Sequence, residues 1–305
     1  MMFKFLGLPF AALGDGALAN LDPVLRRHPQ PLSGFTMATL CAWQDVYHYG
    51  WHVVDGATAL ISFHFGDPDK RHLLQPVGPL TPQVQKLILD GARALPYPLM
   101  LVGVSQEFLA ENAEFVSHFS VEADAGSANY IYSASDLATL PGRQYHKKRN
   151  LIAGAEREYT WEKEALTAAN APECLQMAEE MLLEDGQELT PSLANEMSAL
   201  RHTMKNFEAH QQRGLVIRIG GTLAAFGLYE ELRPGEAVQH FEKARRAYKG
   251  IYQVINQEMA ALILEQGYQR INREEDLGNE GLRKAKHSYY PVELRPSHML
   301  TFRQT

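Results

Sequence analysis

The sequence predicts a mixed α/β protein, α+β in its details, built as two halves that each place a mixed central sheet between flanking helices. Three observations carry that prediction. The 305 residues correspond to about two average domains, and a hydrophobic content of 45% can fill a core in each. Strand and helix periodicities interleave before residue 130. After Trp161 they follow the order β-α-α-β-β-β-α-β-α-β, and such alternation requires a sheet covered on both faces.

The run from Phe3 to Leu13 is largely apolar, but it falls short of the roughly twenty residues a membrane span needs, so a docked N-terminal segment is expected. Residues 34–64 read as a short helix and two strands joined at Asp55-Gly56, a dipeptide that supplies positive φ. A strand follows over 72–76. Thr81 and Pro82 cap and start a helix to Arg93, with Val84, Leu87, Ile88 and Ala92 near helical spacing, and 99–104 is an apolar strand. A short strand over 130–132 then leads to a capped turn at Ser135-Asp136. Pro141 stands where a helix can begin, because the first turn leaves its N–H groups unused. On that helix Arg143, Lys147, Asn150 and Arg157 form one basic stripe, while Tyr145, Ile152, Ala155 and Tyr159 line the other side. Such a stripe is either a solvated face or a ridge that meets phosphate; in the second case Arg143, Lys147 and Arg149 are its contacts.

Beyond Trp161, helices are expected over 172–183 and 192–210, and a hairpin of strands 215–219 and 222–229 about Gly220-Gly221. A strand over 236–244 follows the turn Arg233-Pro234-Gly235. A helix over 252–266, a strand over 268–272, a helix over 279–289 and a strand over 292–302 complete the chain. The expected division is an N-terminal domain, 1–128, a connecting strand and basic helix, 129–160, and a C-terminal domain, 161–305.

A formal net charge of −7 argues against a general nucleic-acid coat, which needs clustered Lys and Arg to release counterions. Cys41 and Cys174 lie far apart without metal-ligand spacing, so neither a metal site nor a disulfide framework is expected. The chain reads as cytoplasmic, with peripheral contact at a membrane left open.

Polar groups at element ends are densest between His240 and Pro291. With a period of two, Val238, His240 and Glu242 share one face of the strand AVQHFEKA. An imidazole and a carboxylate on a central strand must be paired, for instance with Arg245 or Arg273, or must line a cleft. Asn256, in the next helix, lies off its apolar face and can also line that cleft. The strand ending at Asn272 runs into Arg273, Glu274, Glu275 and Asp276, at the carboxyl end where open α/β sheets bind ligands. Three acids beside an arginine suit an amine, or form a loop ion-pair cluster. On the helix after Asn279, Arg283 and Lys286 share a face.

The order of elements resembles the GNAT acyltransferase fold. The runs LPGRQYHKKRN, HFEKA, YKGIYQVINQEMA and INREEDLGNEGLRKAKHSYYPV are similar to a bacterial family named after the C-terminal domain of phosphatidylglycerol lysyltransferase, described as two tandem GNAT-like domains. The match is strong over 130–291 and weaker over 34–121. Fem-type peptidoglycan aminoacyltransferases share this architecture. The resemblance implies an aminoacyl or acyl transferase, with acetyl-CoA-dependent N-acetylation or a non-catalytic ligand-binding role as alternatives. No cofactor is required; aminoacyl-tRNA or acyl-CoA would serve as co-substrate, and the implied partners are a tRNA acceptor end, a phospholipid headgroup or a small-molecule acceptor. A pyrophosphate-binding turn in such folds corresponds to RRAYKGIY, where only Gly250 fits the glycine pattern, which argues against CoA bound in the usual way. Lys286, in Ala285-Lys286-His287-Ser288-Tyr289, matches a late-helix lysine that would stabilise the oxyanion. Glu242 or His240 would deprotonate the acceptor. Arg273, Glu274, Glu275, Asp276, Asn256, Asn272 and Arg283 would bind substrate; Arg143, Lys147, Arg149 and Gly250 would meet phosphate.

Overall fold

Strand pairing and helix packing divide the chain within two strands. The computed structural model describes residues 2–184 and 190–304, and these form one unit up to Asn129 that regains the chain from Arg295, and a second unit from Tyr130 to Leu294. The division differs from boundaries at 128 and 161, because the segment after Tyr130 packs within the second unit and the last strand pairs in the first.

The first unit opens with a hairpin of β1 (Met2–Phe5) and β2 (Leu8–Ala12), then α1 (Asp15–Asn20) and α2 (Asp22–Arg27). Helices α3 (Met37–Ala42) and α4 (Gln44–Tyr47) precede β3 (Gly50–Val54) and β4 (Thr58–Phe63). Positive φ at Asp55 and Gly56 closes that hairpin as the sequence requires. After β5 (His72–Leu74) comes α5 (Pro82–Ala94), started by Thr81, whose hydroxyl accepts the Val84 N–H. Its buried face, Val84, Ile88, Leu89 and Ala92, packs with Phe10, Leu60 and Leu101. β6 (Met100–Ser105), α6 (Gln106–Glu111) and α7 (Ala113–Val116) lead to β7 (Phe119–Ser133), a fifteen-residue strand of which the expected 130–132 is the end.

In the second unit α8 (Ala134–Thr139) replaces the expected turn, capped by Ser133. Helix α9 (His146–Glu158) starts later than Pro141 predicts. Leu140 and Gly142 adopt positive φ, and the Arg149 guanidinium donates to both their carbonyls at 2.5 and 2.7 Å, so Arg143 falls in a stapled turn before the helix. The elements that follow are β8 (Trp161–Ala165), α10 (Ala171–Glu184), α11 (Pro191–Lys205), β9 (Arg213–Ile219), β10 (Thr222–Arg233) and β11 (Glu236–Ala244). Then come α12 (Ile251–Glu265), β12 (Arg270–Asn272), α13 (Glu280–His287) and β13 (Glu293–Phe302), in the order the alternation predicts. The sheet runs β7-β12-β11-β10-β9-β8, with β11 and β12 parallel and the other pairs antiparallel. Helix α12 buries Val254, Ile255, Met259 and Ile263 in the core of this unit.

Two glycines of this unit make opposite demands. Gly250, at φ 88°, precedes α12, and a Cβ there would stand 2.5 Å from the Leu151 carbonyl oxygen of α9. Gly154 lies inside α9, where a Cβ would meet nothing nearer than an Arg157 guanidinium nitrogen at 4.0 Å. Gly154→Ala is therefore expected to stabilise the protein by about 0.5–1 kcal/mol. Gly250→Ala should cost more than about 1 kcal/mol, and urea unfolding midpoints of the two variants check both signs.

Candidate active site

Site geometry begins with the turn that ends β12. Asn272 is fully buried, and its Oδ1 accepts the Glu274 N–H at 2.8 Å. This local bond supports the left-handed backbone of Glu274, φ 58°. Main-chain bonds between Tyr130 and both Arg273 and Glu274 tie the turn to β7.

A β-bulge in β11 then changes the expected faces. Leu228 opposes Phe241 while Tyr229 opposes Gln239, so His240 is the extra residue. Gln239 and Glu242 consequently share a face, and the Gln239 amide donates to Glu242 at 2.7 Å. His240 lies on the other face with Glu230, which stands opposite Val238. The strict two-residue alternation that grouped His240 with Glu242 does not survive the insertion.

His240 is clamped between two carboxylates: Nε2 is 2.8 Å from Glu230 and Nδ1 is 2.8 Å from Glu274. Burial is the largest single influence and lowers its pKa, but the two carboxylates together outweigh it and raise the value to about 10. The ring is thus an imidazolium at neutral pH, with both nitrogens donating and no lone pair for a substrate proton. The general-base role expected of His240 is corrected on this ground.

On the face of Glu242, that carboxylate accepts from Arg273 at 3.2 Å and from the Asn256 amide at 3.2 Å, besides Gln239. The pairing with Arg273 is one of the structural partnerships the sequence allowed. The Arg273 guanidinium lies 5.6 Å from the Tyr289 ring centre and 5.9 Å from that of Tyr132. Lys148 adds a second cation to this frame, 3.9 Å from the Tyr289 ring centre and 2.8 Å from the Ser288 hydroxyl. Burial, and then Arg273, lower the Lys148 pKa. Sequence reasoning passed over Lys148, although it stands three residues after Tyr145 and four before Ile152, on the inward side of the helix.

Lys286 is the third cation. Its ammonium donates to the Arg273 carbonyl and, at 2.7 Å, to that of Glu275, and it lies 5.4 Å from the Tyr130 ring centre. The hydroxyls of Tyr132 and Tyr145 donate to the carbonyls of Lys286 and Tyr289 at 2.8 and 2.9 Å, which fixes the end of α13. Burial lowers the Lys286 pKa to about 8 against the opposing pull of Glu274, with Arg273 reinforcing the fall. Two of its three N–H groups are directed at these carbonyls, and an ammonium has a third to offer.

The acidic run does not open as a group toward an amine. Glu274 is committed to His240. Asp276, 1% exposed, accepts from Arg283 at 2.8 and 3.0 Å and from the Tyr130 hydroxyl at 2.6 Å. The Arg283 guanidinium holds the Asp276 carboxyl well below the usual carboxylate range. Asp276 and Arg283 thus form an ion pair that anchors α13, the loop-cluster reading of these residues. Of the expected phosphate contacts, Arg143 and Lys147 are exposed, Arg149 braces the turn before α9, and Gly250 is half-buried with its Cβ position against the Leu151 carbonyl. Among the described residues no group of three metal-ligating side chains could hold an ion, and no helix is long and apolar enough to cross a membrane.

The family described as phosphatidylglycerol lysyltransferase, C-terminal, matches residues 26–301. A conserved protein of unknown function from Bacteroides thetaiotaomicron is 29% identical, with 96% of this chain and 99% of that one covered at a TM-score of 0.87. L-PGS from Bacillus licheniformis is 18% identical over 97% and 93% of the two chains, TM-score 0.65. FemX is 8% identical over 94% and 96%, TM-score 0.63. No protein of curated function matches the sequence. These similarities give the chain the mixed α/β, GNAT-like fold that its order of elements resembles.

The clamp on His240 carries a stability prediction. A pKa raised above the unfolded value of about 6.5 stabilises the fold fully below that pH, and the contribution fades as pH rises through about 10. His240→Ala leaves two buried carboxylates without their cation and should cost about 3–5 kcal/mol at pH 7. The gap between wild type and variant in urea unfolding should narrow as the pH approaches 10.

Proposed function

Because this chain belongs to the phosphatidylglycerol lysyltransferase C-terminal family, we propose that it transfers an aminoacyl group from an aminoacyl ester to an amine or hydroxyl acceptor, with Lys286 as the cation that meets the oxyanion. The observation that carries this reading is the placement of Lys286: a half-buried ammonium oriented by the carbonyls of Arg273 and Glu275, with an N–H in reserve. Attack of the acceptor nitrogen or oxygen on the ester carbonyl makes a tetrahedral centre whose oxygen takes the negative charge. Collapse of that centre re-forms the carbonyl, breaks the bond to the donor oxygen and leaves the aminoacyl group on the acceptor, while the acceptor's proton leaves with the donor hydroxyl. A preorganised cation in a dry site stabilises the charge as it develops, without reorganisation at the moment of reaction.

Glu242 and Arg273 take positioning roles here. Glu242 orients Arg273, and Arg273 presents its own carbonyl to Lys286. The family's description names a lysyl group and phosphatidylglycerol, so lysyl-tRNA as donor and phosphatidylglycerol as acceptor are the first pair to assay.

Lys286→Met should lower kcat/KM by about two to three decades, roughly 3–4 kcal/mol of transition-state stabilisation. Thermal unfolding should be measured beside the rate to establish that the variant is folded. Full activity in folded Lys286→Met would remove the oxyanion role. The wild-type rate should also fall as pH rises through about 8, because only the ammonium stabilises an oxyanion. A rate that climbs through that pH would instead make the free amine the acting species.

A further inference from the structure

We propose that the cavity of the first unit, between the sheet face of β1, β2 and β3 and the helices α1 and α2, binds a straight-chain carboxylic acid, with the alkyl chain on the sheet and the carboxylate at Arg27. Lys286 belongs to the second unit, and nothing in the proposed transfer chemistry uses this cavity.

The cavity encloses about 650 Å³, a volume usual for small-molecule sites. Its floor follows from strand pairing. Ala11 stands opposite Met2 on β1 and opposite Trp51 on β3, so the three side chains share a face. Two residues on, Pro9 and Val53 return to that face, whereas Phe10 turns to the other side and is fully buried in the core with α5. Helices α1 and α2 cover only part of the first face: Ala17, Leu21 and Val24 are buried, but Pro9 is exposed and so is Met2, by 64%. An apolar shelf is left between the helices and the edge strand β1. Among the described residues β2 pairs with β3 only at Ala11–Trp51 and Ala12–Gly50. Pro9 has no N–H with which to extend that ladder, and its carbonyl accepts from the Nδ1 of His52 at 2.9 Å.

The helical wall sets the shape of the cavity and its charge. Leu21, between the two helices, keeps right-handed helical dihedrals, φ −85° and ψ −48°, so the path of α1 continues into α2. Ala19, Pro23 and Arg27 consequently line the cavity at four-residue steps. Gly16, three residues before Ala19, has its Cβ position 3.8 Å from the half-buried Trp51 ring. The stripe thus starts over Trp51 and ends at Arg27, about 16 Å further on at 1.5 Å per residue. An elongated apolar groove with an indole near one end and a guanidinium at the other fits a chain with one polar head. Asp22, the acid in the first turn of α2, is engaged by Arg26 at 2.7 Å. The exposed Arg27 is left to meet an anion, and its planar fork matches a carboxylate. Lys4, opposite Pro9 on β1, adds a second cation beside the shelf. Asp55, exposed next to the lining Gly56, disfavours a second negative charge on the ligand, so a carboxylate suits the site better than a phosphate monoester.

The test uses the full chain with four probes of matched chain length, each below its micellar concentration: decanoate, decan-1-ol, decyltrimethylammonium and decanoyl lysophosphatidylglycerol. Calorimetry measures affinity, and the emission of Trp51 in a Trp43→Phe/Trp161→Phe background locates the binding. Decanoate should bind more tightly than the other three, change the Trp51 emission and raise the thermal unfolding midpoint. Arg27→Gln should weaken decanoate by about fivefold or more and leave decan-1-ol within about twofold, because only the carboxylate loses its partner. Ala19→Trp, which fills the groove, should weaken both by about tenfold. If Ala19→Trp or the double tryptophan variant fails to fold, Arg27→Gln, at an exposed position, still carries the comparison by calorimetry. No binding of decanoate, equal affinity for decanoate and decan-1-ol, indifference to the substitutions, or tighter binding of the lysophospholipid overturns the proposal. No readout is a transfer rate, so failure of this site and failure of the Lys286 role are distinguishable.

Discussion

The imidazolium of His240, buried between Glu230 and Glu274, fixes the parts of the second unit on which the site depends. It joins three segments that separate stretches of chain supply: β10 through Glu230, β11 through the bulge, and the turn after β12 through Glu274. A protonated ring with both N–H groups donating admits little variation in distance or direction, so Glu274 cannot rotate without unpairing a buried charge. Once Glu274 is held, its neighbours are set as well. Arg273 is turned to the opposite side, toward Glu242, and the carbonyls of Arg273 and Glu275 are delivered to Lys286. The ammonium most central to the proposed chemistry is thus located by a charge cluster it does not touch directly.

On the other side, three cations crowd one aromatic frame. Lys148 and Lys286 both have lowered pKa values, with burial as the main cause and Arg273 contributing to each. Such a grouping holds together because Glu242 balances Arg273, the ring faces of Tyr289, Tyr132 and Tyr130 meet the charges, and main-chain carbonyls receive the Lys286 protons. Its unfavourable self-interaction is what a developing negative charge would relieve. An oxyanion placed among these groups would gain more than one beside a single fully solvated lysine, because partial burial of Lys286 leaves less water to compete.

The fold was legible because periodicity and turn chemistry are local. Asp55-Gly56, Gly220-Gly221 and the Asn279 cap stand where the backbone needs them, and the alternation after Trp161 matches the observed order of elements. The site was legible only as a neighbourhood. The sequence picks out His240, Glu242, Arg273 and Lys286 and allows the pairing with Arg273, but it cannot assign that pairing to Glu242 alone or find the two carboxylates around His240, because a bulge has no signature in AVQHFEKA and one inserted residue reverses a face. Glu230 carried no signal: a glutamate in a strand reads as solvent-facing until a cation arrives from ten residues further along the chain. Pro141 misled for a related reason. Its ring permits a helix start, but the bonds from Arg149 to Leu140 and Gly142 hold that stretch as a turn, and their donor lies seven to nine residues away, beyond the reach of a local reading. Lys148 could have been found, since its spacing from Tyr145 and Ile152 places it inward; the surrounding run of basic residues concealed it.

Helix α9 links the aromatic frame to a cavity on the outer side of this unit, because consecutive residues on a helix point about 100° apart. Lys148 enters the aromatic frame beside Arg273, while Lys147 lines the outer cavity with Arg157. The helix cannot rotate to favour one side without withdrawing a cation from the other. Its orientation is secured from within by Tyr145, Ile152 and Ala155, and from the neighbouring turn by the close approach of Gly250 to Leu151. A glycine that looked in the sequence like the remnant of a pyrophosphate loop therefore has a different physical task. It lets a basic helix sit directly on the turn, so that α9 and Lys249 present their cations together.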